Sequence, residues 1–520
     1  MDHSQMKHIM TEKGLVMVHG GIPGWMFGLG VGLIVILSFV IVEWRGLREG
    51  EGPRINLTAS VWMRKFIRQP YFRFIFQAPI LLIFMGTIFA GLTGNYARNI
   101  APVMVWTIWW AGLIFAVAMF GNLWCFVCPW DALATLVERL SFWKRRPSGS
   151  LGWTWPSWAQ NVYPALILFV GVTWLELGFG VTNHPRLTAI LGLAMALSAM
   201  AMALLFDRRV FCQSLCFVGR TSGMYSMFSP VEVRSGNPEA CAKCKTLACM
   251  NGNKRGLPCP TGLNLRDLND SMYCTNCTEC FSSCPSVPVL NIRPFGRDLS
   301  RVTPGRKDEA WLALVLFALT AFHGLSMTPV WQNFEPGSRD IVGTLREFLG
   351  SHLLAFTLGM AVIMAIPILA HVITTWIASR WVEDQSQGYS KIFVAYSYSV
   401  LPVALFYHLA HNAMHLLMEG PDIIPLLSDP MGAGADWFGT ASWEVAPIMA
   451  QQNIWYLQVG LILVGHIFGV IVAHRISRGL FSDPRDSIRS LVPMLVFMVS
   501  LSVLGLWLMS LDMNMRMGRM

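Results

Sequence analysis

Apolar positions in this chain come in long unbroken runs, not in the alternation of a half-buried strand. Ten stretches are nearly free of charge: 24–43, 72–93, 102–121, 161–181, 187–206, 309–327, 349–378, 391–418, 453–474 and 489–510. A bilayer core takes about 20 helical residues to cross, so each run predicts a membrane-spanning helix. The first is too long for a cleavable signal peptide, and no A-x-A-like cut site follows it. The expected fold class is an all-α integral membrane protein of about ten transmembrane helices with one inserted soluble domain.

Composition supports that class. The 520 residues are 54% hydrophobic and only 13% charged, which excludes an ordinary water-soluble globular domain. The net charge of +9 is not a nucleic-acid signal, because the basic residues are sorted by loop. With the N-terminus outside, loops 44–73, 122–160, 207–308, 379–391 and 475–489 face the cytoplasm and hold most of the 39 Lys and Arg, as the positive-inside rule requires. Loop 419–452 on the other face carries Glu419, Asp422, Asp429, Asp436 and Glu444 and no basic residue. The expectation is a multi-pass protein of a bacterial-type inner membrane with both termini periplasmic. It divides into a five-helix domain over 1–206, a cytoplasmic insert over 207–308 and a His-rich membrane domain over 309–520.

The insert holds ten of the twelve cysteines. Disulfides are disfavoured on a cytoplasmic face, and C-x2-C pairs alone also suit zinc. The run Cys274-x2-Cys277-x2-Cys280-x3-Cys284-Pro285 has ferredoxin spacing, in which three thiolates hold one cubane and the fourth reaches its neighbour. A second run, Cys241-x2-Cys244-x4-Cys249, precedes Cys259-Pro260. By that exchange rule Cys274, Cys277, Cys280 and Cys259 hold one [4Fe-4S] cluster, and Cys241, Cys244, Cys249 and Cys284 hold the other. The x4 and x9 intervals of the second run are longer than the usual x2 and x3.

The two remaining cysteines, Cys125 and Cys128 in "WCFVCPW", follow the third span. They match Cys212 and Cys216 in "FCQSLCFVGR", after the fifth. All four are expected at one depth near the cytoplasmic surface, as metal ligands, a redox thiol pair, or small packed side chains.

Paired cysteine motifs at helix ends followed by a two-cluster segment resemble the membrane-bound polyferredoxins NapH, the C-terminal half of NosR, and CcoG. The resemblance covers about residues 75–300. It implies electron transfer in nitrate, nitrous-oxide or cytochrome-oxidase pathways, with partner redox subunits. The CcoG likeness implies instead a copper-handling or metallo-enzyme maturation factor that reduces Cu(II). The motif departs from the family's C-x-x-x-C-P at Cys125-x2-Cys128 and at Phe217, which stands where proline is usual.

In the C-terminal half, His408, His411 and His415 recur at i, i+3 and i+7 on one helix face, at a depth shared with His323 and His352. His371 and His466 lie deeper, and His474 ends the ninth span. Ionisable groups in a bilayer are costly and usually functional. These imidazoles are candidate ligands for b-type haem, a metal or a quinone head group; alternatively each hydrogen-bonds across the bundle. The tails "MDHSQMKHIM" and "LDMNMRMGRM" interleave methionine with histidine or polar residues, and soft thioethers select Cu(I). Trp106, Trp109, Trp110, Trp124 and Trp130 read as an interfacial aromatic belt. No acid–base or nucleophile constellation stands out, so the expected role is a redox subunit without bond-making chemistry. It would relay electrons between the clusters and a membrane quinone or haem site or a periplasmic acceptor.

Overall fold

The computed structural model describes residues 6–11, 14–43, 53–69, 71–140, 150–206, 210–284, 287–301, 305–332 and 339–515. Pro285 and the outermost residues of both methionine-bearing tails lie outside them. Among the described residues nine helices are long and apolar enough to cross a membrane: α1 (Gly24–Glu43), α2 (Phe72–Thr93), α3 (Ile100–Phe120), Pro185–Leu205, Lys307–Ser326, His352–Trp381, Gln385–Met418, Gln451–Leu480 and Pro484–Ser510. The tenth expected span, 161–181, is a 16-residue helix, Tyr163–Gly178, short of the about 20 residues a crossing takes. Gly180 in the left-handed conformation (φ 60°) turns the chain away before the apolar run is used up.

Two short helices follow α3: α4 (Leu123–Val127) and α5 (Pro129–Leu140). Next come α6 (Tyr163–Gly178), α7 (Pro185–Leu205), α8 (Phe217–Tyr225) and α9 (Lys307–Ser326). The run 385–418 is broken into α11 (Gly388–Ser397) and α12 (Val400–Met418), after α10 (His352–Trp381). Pro402 lacks the N–H that would bond back to the Tyr398 carbonyl, which is where the helix interrupts. α13 (Gln451–Leu480) and α14 (Pro484–Ser510) complete the bundle. α9 and α12 form its centre, buried along nearly their whole length, while α1, α2, α7 and α10 leave long apolar flanks exposed as lipid-facing helices do. The expected tryptophan belt is corrected here. Trp106 is buried and donates to Thr188 Oγ1 at 3.0 Å, and Trp130 is also buried. Trp109 packs on Trp124 and Trp130, so these rings fill space between helices.

The two ends of the chain meet in one antiparallel sheet, β1 (Met6–Thr11), β2 (Gly14–His19) and β6 (Met513–Met515). Its register aligns Met6 with His19 and His19 with Met513, then His8 with Met17 and Met17 with Met515.

The cysteine-rich segment builds on a second sheet, in the order β3 (Ile55–Asn56), β5 (Pro288–Ile292), β4 (Val231–Ser235). A small apolar core of Ile67, Val233, Leu265, Leu268, Phe281 and Val287 lies beneath it. A buried charge cluster ties its ends. Arg293 meets Glu232 at 3.1 Å and pairs with Asp298, and Arg234 meets Asp298 at 3.2 Å. Asp298 also accepts from the Ser271 amide at 2.6 Å, and Ser226 Oγ donates to the Ser271 carbonyl at 2.7 Å. That chain of bonds fastens the stretch before Cys274 to the bundle.

Candidate redox site

Among the described residues, all four non-glycine positions with positive φ (Leu247, Tyr273, Asn276 and Thr278) lie in the loops that carry the insert's cysteines. Side chains pay a steric penalty there, and here the strain lets short loops fold around their thiols. Cys249, Cys259, Cys274, Cys277 and Cys280 line one cavity. Cys241, Cys244, Cys249 and Cys284 lie close enough to interact electrostatically as a second group. Cys249 stands by both groups, where the exchange rule assigns it to the second alone. Burial pushes the Cys274 thiol up to about 12 and raises Cys280 strongly, so these sulfurs favour the neutral thiol until a cation compensates them. Cys244, at the surface, is lowered by the Thr246 hydroxyl and local amides.

Soft thiol donors around one space are the chemistry an iron–sulfur cubane takes, and the residues lining the inner cavity fit such a group. No three His, Cys, Asp or Glu side chains converge on a single-ion position among the described residues.

A second cavity lies where the insert meets the bundle. Cys125, Cys128, Cys212 and Cys216 all line it, as do Trp124, Trp130, Arg73 and Asp131. The shared depth expected of these thiols becomes a shared space. Burial raises all four first; neighbouring charge raises Cys125, Cys128 and Cys212 further, whereas the Gly219 amide and Arg220 hold Cys216 to about 11. Gly219 N donates to Cys216 Sγ at 3.3 Å. The buried indole N–H groups of Trp124 and Trp130 have no hydrogen-bond partner among the described residues.

Arg73, from α2, organises this wall. It pairs with Asp131 at 2.6 Å, donates to the carbonyls of Phe126 and Cys125 at 3.1 and 3.2 Å, and reaches Glu279 at 3.8 Å. Glu279 in turn accepts from the Leu257 amide at 3.0 Å. One guanidinium thus spans both cysteine regions. The insert contributes Pro260, Thr261 and Thr275 to the thiol cavity, and Thr275 also lines the cavity of Cys259, Cys274, Cys277 and Cys280. The two spaces share a wall. Tyr273 packs so tightly on Gly223 of α8 that a Cβ there would stand 2.3 Å from its Cδ1, and Arg220 covers its ring at 4.3 Å.

His408, His411 and His415 all face the protein interior. Tyr225 OH lies 3.5 Å from His408 Nδ1. The His411 ring contacts those of His323 and His415 edge-on, with centroids 5.1 and 5.0 Å apart. His415 Nδ1 lies 3.2 Å from Glu419 Oε2, which also accepts from Thr107 at 3.4 Å. Glu419 was read from the sequence only as a loop acid, although it continues the i, i+3, i+7 series at i+11. His371 bonds with Ser397, and His466 lies between Ser38 and Ser502, so these two pair across the bundle. His352 is the first residue of α10.

No protein-family model matches this chain, and no solved structure matches it. It is similar to a protein of Escherichia coli (strain K12) named "Putative electron transport protein YccM", with 29% identity over 147 residues. The match covers 27% of this chain and 38% of that protein, well under half the length of either.

Proposed function

We propose that this is a membrane-bound electron-transfer protein whose insert holds two [4Fe-4S] clusters and passes electrons to the thiol cavity at the membrane surface. One observation carries the reading: Thr275 belongs to both the Cys259/Cys274/Cys277/Cys280 cavity and the cavity of the four helix-end thiols. It gives an order, from the more exposed set with Cys244, through the inner set, to the bundle. The likeness to an electron transport protein supports the same class. Bound clusters supply one-electron chemistry; the chain ligates them, buries the inner one and fixes its distance from the bundle. The acceptor beyond is a membrane quinone or haem site or a periplasmic acceptor, with partner redox subunits alongside, and the insert lies on the Lys- and Arg-rich cytoplasmic face of an inner membrane. Anaerobic purification should give about eight irons with equal acid-labile sulfide per chain. A colourless protein without sulfide overturns the reading.

A second reading, a copper-handling factor, is favoured by the terminal sheet. Its register places Met6, His19 and Met513 in one row and His8, Met17 and Met515 in the next. Methionine and histidine together suit Cu(I). Tight stoichiometric copper in protein that lacks haem selects this reading.

A further inference from the structure

Cys125, Cys128, Cys212 and Cys216 share more than a depth. Each pair among them is close enough to interact electrostatically, and all four line one space of about 610 Å³ between the bundle and the insert. The cavity that includes Cys259, Cys274, Cys277 and Cys280 measures about 420 Å³, so a group of the same size has room here. The turn that carries the second motif is widened. Cys216 N donates to the Phe211 carbonyl at 2.8 Å, a π-type bond that closes over Cys212. Such turns are rare and gather at functional sites.

Three features of the wall suit a polynuclear group. No three cysteines converge on the shell of a single ion among the described residues, whereas a cubane takes one thiolate at each of its irons and spaces the sulfurs further apart. The indole N–H of Trp130 is buried at the wall of this space and has no hydrogen-bond partner among the described residues. Donors of that kind bond cluster sulfurs and set their potential. Gly219 is the third feature. A Cβ there would stand 3.4 Å from Cys216 Sγ and 3.9 Å from Cys125 Sγ. Those are ordinary contacts, so the chain's own packing does not require glycine. What its lack of a side chain leaves free is room beside two sulfurs, next to the amide that donates to Cys216 at 3.3 Å.

We propose that these four cysteines hold a third [4Fe-4S] cluster, seated where the insert meets the bundle. The proposal deepens the relay reading and rests on it. Two ligands come from the α4–α5 corner and two from the turn before α8, so the site joins separate helix ends. Pro260, Thr261 and Thr275 close the space from the insert, and Pro260 directly follows Cys259. An electron leaving the inner cluster thus has a one-electron centre beside it. One centre is oxidised, the other is reduced, and no bond is made and no proton moves.

The test uses full-length protein purified without oxygen. Iron, zinc, copper and acid-labile sulfide are counted per chain, and EPR spectra are recorded at low temperature after dithionite reduction. The insert alone accounts for about eight irons, and the third cluster should raise the wild-type count to about twelve. Cys212→Ala should return it to about eight while the insert's own signals stay. Gly219→Leu keeps every thiol but fills the room beside them, so it should lose the same irons. Where Cys212→Ala also strips the insert, the wild-type count and Gly219→Leu decide. A wild type with the insert's irons alone, or extra iron that Cys212→Ala retains, overturns the third cluster and leaves the relay standing. Zinc or copper in place of iron at these thiols overturns it as well. Protein without acid-labile sulfide overturns the relay itself, and this cluster with it.

Discussion

Arg73 on α2 lies 2.6 Å from Asp131 on α5, and both side chains are almost wholly enclosed. The pair stands in the wall shared by the helix-end thiols and the cluster-bearing loops. Breaking a buried ion pair leaves an uncompensated charge. Arg73→Met alone should therefore cost about 3–5 kcal/mol of stability, and Arg73→Met with Asp131→Leu much less. Thermal melting of the two variants in detergent measures the difference. A double variant as unstable as the single one would contradict this account.

The two thiol sets make separable demands. Cys277→Ser should remove one [4Fe-4S] signal from the low-temperature EPR spectrum and simplify the interaction pattern of the other. Cys284→Ser should instead affect the signal held with Cys241, Cys244 and Cys249, although Cys284 is nearer in sequence to Cys280. Loss of the same signal in both variants would mean that the exchange pairing is wrong.

Gly223 on α8 is required by close approach, since a Cβ would overlap the ring of Tyr273. Gly223→Ala should cost about 1–3 kcal/mol by overpacking. It should also loosen the loop that begins at Cys274, seen as faster loss of cluster absorbance on exposure to a chelator. The flexible-ring alternative, Gly223→Ala with Tyr273→Leu, should recover most of the stability.

Asp298 sets an acid limit. Burial alone would raise its carboxyl pKa, but the bonded Arg293 and the charge of Arg234 outweigh burial and hold it below the ordinary 3.8. A folded-state pKa that is depressed stabilises the fold above the unfolded value, and that contribution disappears as pH falls through the folded value. Hydrogen exchange in β4 and β5 should accelerate below about pH 4. Asp298→Asn should exchange faster at neutral pH and show a flatter acid dependence.

Much of this was legible in the sequence because the governing forces are local. Runs of apolar residues locate nine spans among the described residues, and cysteine spacing brings eight thiols into one region of the insert, with Cys249 beside both groups. The sixteen-residue α6 was not legible, since Gly180 ends it through backbone conformation and hydropathy windows ignore that. Trp106 and Trp130 pointed inward because packing between helices, not residue type, decides which ring meets lipid. The joining of β1, β2 and β6 depends on register between segments nearly five hundred residues apart, which no local pattern encodes. Glu419 was legible only as a loop acid because it follows the last apolar residue of its span, where a helical repeat gives way to loop composition.

The enclosure of α12 has a consequence for how the protein is made. A segment that never touches lipid in the finished bundle gains little by partitioning into the bilayer alone, and its imidazoles oppose the move. Its stable residence therefore depends on α9 before it and α13 and α14 after it. Biogenesis should stall, with α12 still reachable from water, in any chain truncated ahead of Gln451.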